Sequence, residues 1–459
     1  MSLAEDVKLL GKYDRPGPLY TSYPTMPLFS ENLGADVLKS KLESDTPNAG
    51  QLSLFVHLPF CHKLCWYCNR TMKVERSILR VSQHLDLIRK EIESVAPSTQ
   101  RRICQVHLGG GTPNFLFPLQ LAELLDHLKS HFSIAKDAEL SLEVDPRILS
   151  NEQLDEIASA GFTHLTLGVQ DFNPQVQFAV NRIQPYELVA SRVEEIRDRQ
   201  IESLSMDLIY GLPFQTPHSF SQTIKKTLAL APDRIALFNF VHMPESNRHM
   251  ALIKSEQLPP SHEKWQMLLE AVAILEAEGY LNIGMHHFAR SDDPLVKSLS
   301  DGALFRNSQG YWIQAGMETL SFGVSGTSMF DDLYTQNCRT IGGYEHVLMS
   351  GSWPTSRAVR LTPDDQLRRA IIEELICREI IDIPSIEEHL RAPFDNYFPG
   401  VQQRLNTMVK DHILRFKENT YKVTHLGRFL LRNIAMVFDR YLPVLSDGHC
   451  RSSRTWLTH

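Results

Sequence analysis

Short apolar runs alternate with helical patterns between residues 52 and 241, and this repeat limits the fold more than any other feature of the sequence. The runs cover residues 52–58, 103–108, 138–144, 164–169, 203–210 and 234–241, with helical patterns between them such as 78–95 and 118–131. They are continuous and rich in Val, Ile and Leu, as expected of strands covered on both faces. Six alternating units predict an α/β fold with a parallel sheet, either an open barrel or a doubly wound sheet.

The rest of the chain divides into flanking parts. An irregular opening rich in Pro and Tyr, residues 16–27, precedes the first run. From about residue 362 the pattern becomes helical, with a short β segment at 421–424 and a last helical stretch at 429–442. We therefore expect an N-terminal irregular or helical arm (1–50), a β/α core with an extension (51–360) and a C-terminal, mostly helical domain (361–459).

The balance of charges argues against two classes of partner. Lys and Arg number 47 and Asp and Glu 54, which gives 47 − 54 = −7, whereas nucleic acids and anionic membranes normally bind a basic face. The first ten residues contain charges and no apolar signal region, and no stretch approaches the roughly 18 uncharged residues of a membrane span. The sequence predicts a cytoplasmic protein that binds neither nucleic acid nor a membrane.

Chemically distinctive residues follow or finish the six runs. They are Cys61, the run Gly109 to Gly111, Glu143, Gln170, Asp207 and His242. The carboxyl ends of parallel strands meet at one edge of the sheet, which is where β/α folds place their sites. We expect these residues to share one site. By contrast, a single histidine at a strand end, such as His57 or His287, is more often a satisfied core residue than a catalyst, and Cys104 and Cys377 are expected to be buried and inert.

Three of the seven cysteines are crowded into a CxxxCxxC motif, Cys61, Cys65 and Cys68, directly after the first run. In a reducing compartment such a cluster predicts a metal site rather than disulfides. Three thiolates on one loop can ligate three irons of a 4Fe-4S cluster and leave the fourth iron open. A zinc site with His57 or His62 as fourth ligand, or three unrelated thiols, are the alternatives.

This motif after the first strand of a six-unit β/α chain resembles the radical S-adenosylmethionine (radical SAM) superfamily. The wider sequence resembles the oxygen-independent coproporphyrinogen III oxidase family, over about residues 20 to 442. The matching segments are 20–25 (YTSYPT), 57–65 (HLPFCHKLC), 109–113 (GGGTP), 143–146 (EVDP), 168–172 (GVQDF), 181–182 (NR), 207–213 (DLIYGLP), 287–290 (HFAR), 306–307 (RN), 309–311 (QGY), 427–428 (GR) and 432–434 (RNI).

The resemblance implies a fold, cofactors and a set of site residues. The fold is a partial six-unit (β/α) barrel with a C-terminal, mostly helical domain. The cofactors are one 4Fe-4S cluster, held by Cys61, Cys65 and Cys68 with SAM on the fourth iron, and a second SAM. The residues implied to bind the cofactors are Phe55, Tyr67, Gly110, Gly111, Thr112, Glu143, Gln170, Arg182, Asp207, Val241 and Thr327, of which Gln170, Arg182 and Asp207 line the second SAM site.

The family's activity is the oxidative decarboxylation of coproporphyrinogen III to protoporphyrinogen IX in anaerobic haem synthesis. An electron from a flavodoxin or ferredoxin reaches the cluster, and SAM is cleaved to methionine and a 5′-deoxyadenosyl radical. This radical takes a hydrogen atom from the β-carbon of a propionate, and loss of carbon dioxide and one electron then leaves a vinyl group. The resemblance thus implies an oxidoreductase with a tetrapyrrole substrate and such a donor, and we expect a monomer. A related radical enzyme acting on another tetrapyrrole, and a haem-binding chaperone without turnover, remain as alternatives.

Four positions depart from the family pattern, around cofactor motifs that are otherwise retained. Phe55 stands where the family has a tyrosine, and Asn69-Arg70 where it has Gly-Cys. His286 stands where the family has Asp, and Trp312-Ile313 where it has a polar pair. The cofactor motifs are kept, so the departures concern the substrate rather than the radical chemistry.

Overall fold

The computed structural model describes residues 3–44, 50–307, 309–313 and 315–442. Residues 1–2 and 45–49 of the predicted arm, and 443–459 of the predicted C-terminal domain with Cys450, lie outside the described residues. No helix among the described residues combines the length and the apolar character needed to cross a bilayer.

Two helices of the first half of the chain precede the first core strand, and six follow core strands. They are α1 (Leu3–Tyr13), α2 (Ala35–Ser44), α3 (Ile78–Val95), α4 (Pro118–His131), α5 (Asn151–Ala160), α6 (Pro174–Ala179), α7 (Tyr186–Asp198) and α8 (Pro217–Ala229). Those of the second half are α9 (Ser261–Ala277), α10 (Pro294–Ser300), α11 (Ile341–Met349), α12 (Pro363–Arg378), α13 (Ile383–Leu390), α14 (Phe394–Tyr397), α15 (Val401–Lys410) and α16 (Leu431–Ala435).

The strands fall into two groups along the chain. The first comprises β1 (Leu52–Leu58), β2 (Phe60–Cys61), β3 (Lys73–Val74), β4 (Ile103–Gly110), β5 (Ile134–Val144), β6 (His164–Gln170), β7 (Ser203–Tyr210) and β8 (Arg234–Asn239). The second comprises β9 (Tyr280–Gly284), β10 (His287–Arg290), β11 (Phe305–Arg306), β12 (Tyr311–Trp312), β13 (Glu318–Phe322), β14 (Thr327–Met329), β15 (Leu333–Asn337), β16 (Thr355–Arg360), β17 (Ile380–Asp382), β18 (Leu414–Lys417) and β19 (Thr420–Val423).

The six predicted runs form the centre of one mostly parallel sheet. In the described part of the chain this sheet has twelve strands in the order β16-β15-β14-β13-β1-β4-β5-β6-β7-β8-β10-β9. Neighbouring strands from β1 to β8 are parallel, and β13 is parallel to β1. The predicted α/β fold with its partial barrel is confirmed. The antiparallel strands that widen the sheet on both sides were not predicted.

The two faces of the central strands differ in chemistry. The side chains at alternate positions, such as Leu54, Val56, Leu142 and Leu167, are fully buried and pack with the covering helices in the main core. The intervening positions are mostly polar: Ser53, His57, Gln105, His107, Ser141, Glu143, His164, Thr166, Ser203, Ser205 and Asp207. The runs were expected to be continuous and covered on both faces; the second face is largely buried, but it is polar, and it leads to the candidate site.

The C-terminal region is mainly helical, as predicted. It also contains a small antiparallel sheet in the order β17-β19-β18, whose middle strand overlaps the predicted β segment at 421–424. The predicted last helical stretch, 429–442, contains only the end of a short 3-10 helix, Leu426–Leu430, and α16. The first and last parts of the chain meet here, since Asn433 Nδ2 donates to the Tyr13 carbonyl at 2.7 Å and the Tyr20 hydroxyl to Asp439 at 2.9 Å.

A buried carboxylate joins α3 to the far side of the sheet. Glu91 accepts hydrogen bonds from the Tyr344 hydroxyl (2.5 Å), Asn337 Nδ2 (2.7 Å) and the Gly323 backbone N–H (2.8 Å). We expect Glu91→Ala to lower the free energy of unfolding by about 3 kcal/mol, because three buried donors lose their acceptor. Urea unfolding measures this loss. Glu93→Ala, on the exposed side of the same helix, should stay within about 0.5 kcal/mol; equal effects of the two substitutions would contradict the prediction.

Candidate functional site

The cysteine loop is closed at its base by a short pair of strands. Cys61 ends β2, which runs parallel to β3 with Phe60 beside Lys73 and Cys61 beside Val74. Within the loop the backbone N–H of Cys68 donates to the Cys65 carbonyl at 3.1 Å, which forms a turn. Cys61 and Cys65 are buried and Cys68 is partly exposed. The three thiols therefore lie on one constrained loop at the carboxyl edge of β1.

The loop extends over the sheet edge to segments that follow later strands. The Trp66 N–H donates to the Val180 carbonyl at 3.0 Å, and Asn181 Nδ2 donates to the Leu64 carbonyl at 2.8 Å. The rings of Trp66 and Tyr67 pack against a separate apolar cluster: Val176, Val180, Ile209, Leu212, Phe240, Met243, Met250 and Ile253. Val241 packs on the same cluster. These contacts hold the cysteines above the polar face of the barrel.

Hydrogen-bond donors surround two of the sulfur atoms. The Thr112 hydroxyl donates to Cys61 Sγ at 3.3 Å, and Arg147 Nη2 and Arg182 Nη1 donate to Cys65 Sγ at 3.8 and 3.6 Å. Burial nevertheless raises the pKa of the Cys61 thiol to about 12. A thiol of this kind ionises only against a strong positive partner, and a bound metal is such a partner.

The separation of the sulfur atoms distinguishes the two metal hypotheses. Tetrahedral zinc, with Zn–S about 2.3 Å, holds its thiolates about 3.8 Å apart. Among the described residues, the ligand atoms of Glu93, His127 and His131 all lie within 4.8 Å of one another. The sulfur atoms of the three cysteines do not. His57 is engaged with the Thr71 carbonyl at 2.8 Å, and His62 is exposed. At least two of the three sulfur atoms are therefore more than 4.8 Å apart, which is farther than one zinc ion holds its thiolates.

The glycine loop after β4 packs directly against the strand that leads to Cys61. The N–H groups of Gly111 and Thr112 donate to the carbonyls of Leu58 and Phe60 at 2.8 and 2.9 Å. A Cβ on Gly111 would lie 2.8 Å from the Leu58 carbonyl oxygen, and Gly110 has φ +107°. Glycine is required here because two backbone segments touch, a reason that the sequence analysis did not identify.

Glu143 ends the polar face of β5 beside this loop. Its carboxylate accepts from the Gly110 N–H at 3.1 Å and lies 3.4 Å from His107 Nε2. Burial alone would raise the pKa of Glu143, but His107, the charge of Arg70 and the Gly110 N–H lower it to about 2. The Phe55 ring stacks on His107 with 5.6 Å between ring centroids. The site therefore holds a fixed negative charge next to the cysteine loop, suited to a cationic ligand group.

A buried ion-pair network involves two residues that were given no role from the sequence, Asp145, within the matching segment 143–146, and Arg147. Asp145 forms a two-pronged pair with Arg147, at 2.9 and 2.6 Å, and accepts from Arg182 Nη1 at 3.4 Å. Both arginines also reach Cys65. The signal was present in the sequence, since Asp145 and Arg147 lie two and four residues beyond Glu143, on the turn that leaves the strand.

Two polar atoms in this region are buried without a hydrogen-bond partner, Gln170 Oε1 and Arg182 Nε. Gln170 has φ +69°, and Arg182 Nη2 donates to the Gly168 carbonyl at 2.5 Å. Asp207 lies beside Gly168 in the strand register. Burial and the charge of Glu143 raise the pKa of Asp207 to about 7, against the lowering effect of Arg70 and Arg182. An amide without a hydrogen-bond partner, a guanidinium and a titratable carboxyl therefore lie around Gly168. Together they suit a ligand that carries both a positive and a negative charge.

The remaining predicted residues are placed differently. Thr327 lies on β14, where its hydroxyl accepts from Gln336 Nε2 at 3.1 Å, and no recorded contact within the described residues joins it to the cysteine loop. Among the departures, the charge of Arg70 helps to lower the pKa of Glu143, whereas His286 packs against Phe429 with 6.2 Å between ring centroids. Trp312 is buried with its Nε1 unpartnered.

Comparisons with known proteins agree with this geometry. Residues 55–227 match the model of the radical SAM superfamily. The chain is 40% identical to the oxygen-independent coproporphyrinogen III oxidase of Escherichia coli over 95% of each chain, and 38% identical to that of Pseudomonas aeruginosa over 96% of this chain and 97% of the relative. The solved structure of coproporphyrinogen III oxidase from Escherichia coli, described as a radical SAM enzyme, superposes with TM-score 0.88 and 41% identity, covering 92% of this chain and 98% of that one.

Proposed function

The chain belongs to the oxygen-independent coproporphyrinogen III oxidase family of the radical SAM superfamily, and from this membership we propose that it decarboxylates coproporphyrinogen III oxidatively to protoporphyrinogen IX. The observation that carries the proposal is the cysteine loop itself. Its three thiols are held above the barrel by contacts to Thr112, Val180 and Asn181, beside an ionised Glu143.

We propose that Cys61, Cys65 and Cys68 ligate three irons of one 4Fe-4S cluster and that SAM completes the fourth. When bound, these cofactors supply a radical that removes a hydrogen atom from an unactivated carbon. The protein orients the reactants and excludes water. Thr112, Arg147 and Arg182 donate hydrogen bonds to the sulfur atoms, and the positive charges of the two arginines would favour a reduced, more negative cluster.

The residues around the glycine loop form the proposed first SAM site. The Glu143 carboxylate faces this space and is suited to the ammonium or ribose of SAM. Gly110, Gly111 and Thr112 bring backbone close to the cysteine loop, and Tyr67 offers an aromatic surface. Phe55 contributes only a ring, because it lacks a hydroxyl. Val241 and Thr327 stay predictions as cofactor contacts.

A second SAM site is proposed around Gly168, lined by Gln170, Arg182 and Asp207. The unpartnered Gln170 Oε1 and Arg182 Nε are buried, and leaving such atoms without partners costs about 1–3 kcal/mol each. A zwitterionic amino acid would supply both a donor and an acceptor to this pair. This retained polar set argues against a haem-binding chaperone, which has no use for it.

The proposed substrate is a tetrapyrrole with propionate side chains, and the proposed electron source is a flavodoxin or a ferredoxin acting on a monomer. Anaerobic incubation with coproporphyrinogen III, SAM and dithionite tests the function. We expect 5′-deoxyadenosine, methionine and a product that has lost two carboxyl groups, identified by mass. Because Phe55 and Arg70 depart from the family pattern, 5′-deoxyadenosine without decarboxylation would favour another tetrapyrrole substrate. An intact cluster without 5′-deoxyadenosine, together with stoichiometric haem binding, would favour the chaperone.

A further inference from the structure

Exposed apolar side chains are grouped beside the cysteine loop. We call them the rim patch: Val74 (36% exposed), Ile78 (59%), Leu79 (66%), Phe117 (51%) and Leu119 (64%). Single exposed apolar residues are common, but five on adjoining segments are not explained by chance exposure. They stabilise no part of the core and are available to a partner.

Hydrogen bonds and strand pairing place the rim patch next to Cys61. Val74 is the strand partner of Cys61, and Ser77 caps α3, whose first two residues are Ile78 and Leu79. Gln120 Nε2 donates to Ser82 Oγ at 3.1 Å, which joins the start of α4, with Phe117 and Leu119, to the start of α3. The patch therefore adjoins the outer side of the cluster-binding loop.

The patch is bordered by positive charge in a chain that is negative overall. Between residues 62 and 80 the sequence has five basic side chains, Lys63, Arg70, Lys73, Arg76 and Arg80, against the single acidic side chain Glu75. Lys73 is paired with Glu75 at 2.9 Å, and Arg80 approaches Glu345 at 3.9 Å. Lys63 and Arg76 are exposed and have no recorded ion pair with any described residue. Two cations are thus left for a partner of opposite charge.

We propose that the rim patch is the docking surface for a small acidic redox protein that delivers the electron to the cluster. This rests on the proposed function, because only a radical enzyme needs that electron. An apolar centre with a charged border is the usual composition of a transient interface, and opposite charges speed the encounter. Electron transfer weakens steeply with distance, so a surface that shares a strand pair with Cys61 is well placed for it.

A second exposed apolar area at the same sheet edge lacks these properties. Phe178 and Ile183 are 75% and 55% exposed. The surrounding segment, 171–190, has one basic residue, the buried Arg182, against the acidic Asp171 and Glu187. An acidic donor would find no complementary charge there. Charge therefore favours the rim patch over this area.

The test compares two electron sources in variants of the whole, cluster-loaded chain. Leu79→Glu and Arg76→Glu change the rim patch, and Arg102→Glu is the control, since Arg102 is exposed at the amino end of β4, on the opposite edge of the sheet. Glutamate in the first turn of α3 is favourable for the helix dipole, so Leu79→Glu should fold normally. The rate of 5′-deoxyadenosine formation is measured with limiting reduced flavodoxin, a small acidic protein, and separately with dithionite.

With flavodoxin at about 50 mM salt we expect Arg76→Glu to be about fivefold slower and Leu79→Glu about tenfold slower, while Arg102→Glu is unchanged. The Arg76→Glu deficit should shrink at about 300 mM salt, where charges are screened. With dithionite all four proteins should react equally. Unchanged flavodoxin rates in both rim variants would overturn the proposal, as would a wild-type dimer that Leu79→Glu dissociates, since a second copy would then cover the patch. A wild type without 5′-deoxyadenosine in dithionite would instead defeat the proposed function.

Discussion

Replacing Cys61, Cys65 or Cys68 with serine, one at a time, is expected to abolish the 4Fe-4S cluster and all 5′-deoxyadenosine formation. The wild-type chain should bind about four irons and four sulfides after anaerobic reconstitution. A serine hydroxyl is a poor iron ligand, and the loop has no spare thiol: Cys104 lies within β4 and Cys377 within α12. Iron and acid-labile sulfide analysis and the brown absorbance measure the loss.

Cys104→Ser is the matched control, because it removes a thiol without touching the loop, and it should keep the full cluster and full activity. Stoichiometric zinc with no acid-labile sulfide in the wild-type chain would contradict the cluster assignment. So would a Cys65→Ser chain that retains four irons.

Substitution of Arg182 is expected to have the second largest effect. Its guanidinium reaches Cys65 Sγ, Asp145 and the Gly168 carbonyl at once, and its Nε is left for a ligand. Lysine keeps the positive charge, but its single ammonium group cannot make these three contacts at once. We expect Arg182→Lys to lower kcat/KM for SAM cleavage at least about 100-fold, since it removes charge-assisted hydrogen bonds worth about 1.5–3 kcal/mol each.

Iron content separates this effect from loss of the cluster. Arg182→Lys should retain the irons and lose rate, because the three thiolates remain. Arg192→Lys is the control, since Arg192 is partly exposed on α7 and its ion pair among the described residues is with Glu195, three residues along the same helix. Its rate should stay within about twofold. An Arg182→Lys protein with normal rates would remove Arg182 from the site.

Sequence patterns predicted the order of the βα units and the cysteine motif because both depend on neighbouring residues. The strands β1 and β7 begin and end where the apolar runs do, and α3 and α4 match their helical patterns. The outer strands β9, β10 and β13 to β16 are short. Most of them pair with neighbours in the sequence, but they join the sheet through β10 beside β8 and β13 beside β1, whose partners are far along the chain. Local periodicity does not report such pairing.

The site shows the same division. Glu143 could be identified because its own motif marks it, and the structure places it beside the glycine loop. Leu64 contacts Asn181, and Trp66 contacts Val180. Each contact joins residues more than a hundred positions apart, so no local sequence pattern predicts it. The polar face of the barrel was missed because the runs were interpreted as continuous, although their alternation is visible in β6, from His164 to Gln170.

The meeting of the first and last parts of the chain has a consequence for biosynthesis. Tyr13 and Tyr20 leave the ribosome long before their partners Asn433 and Asp439. At about 5–20 residues per second, the intervening stretch of about 400 residues takes about 20–80 s to synthesise. By then the groups that hold the cysteine loop, from Thr112 to the His249 ring that donates to the Cys68 carbonyl, have long been made. The nascent chain can therefore form its metal-binding loop well before its amino-terminal arm can contact the C-terminal region.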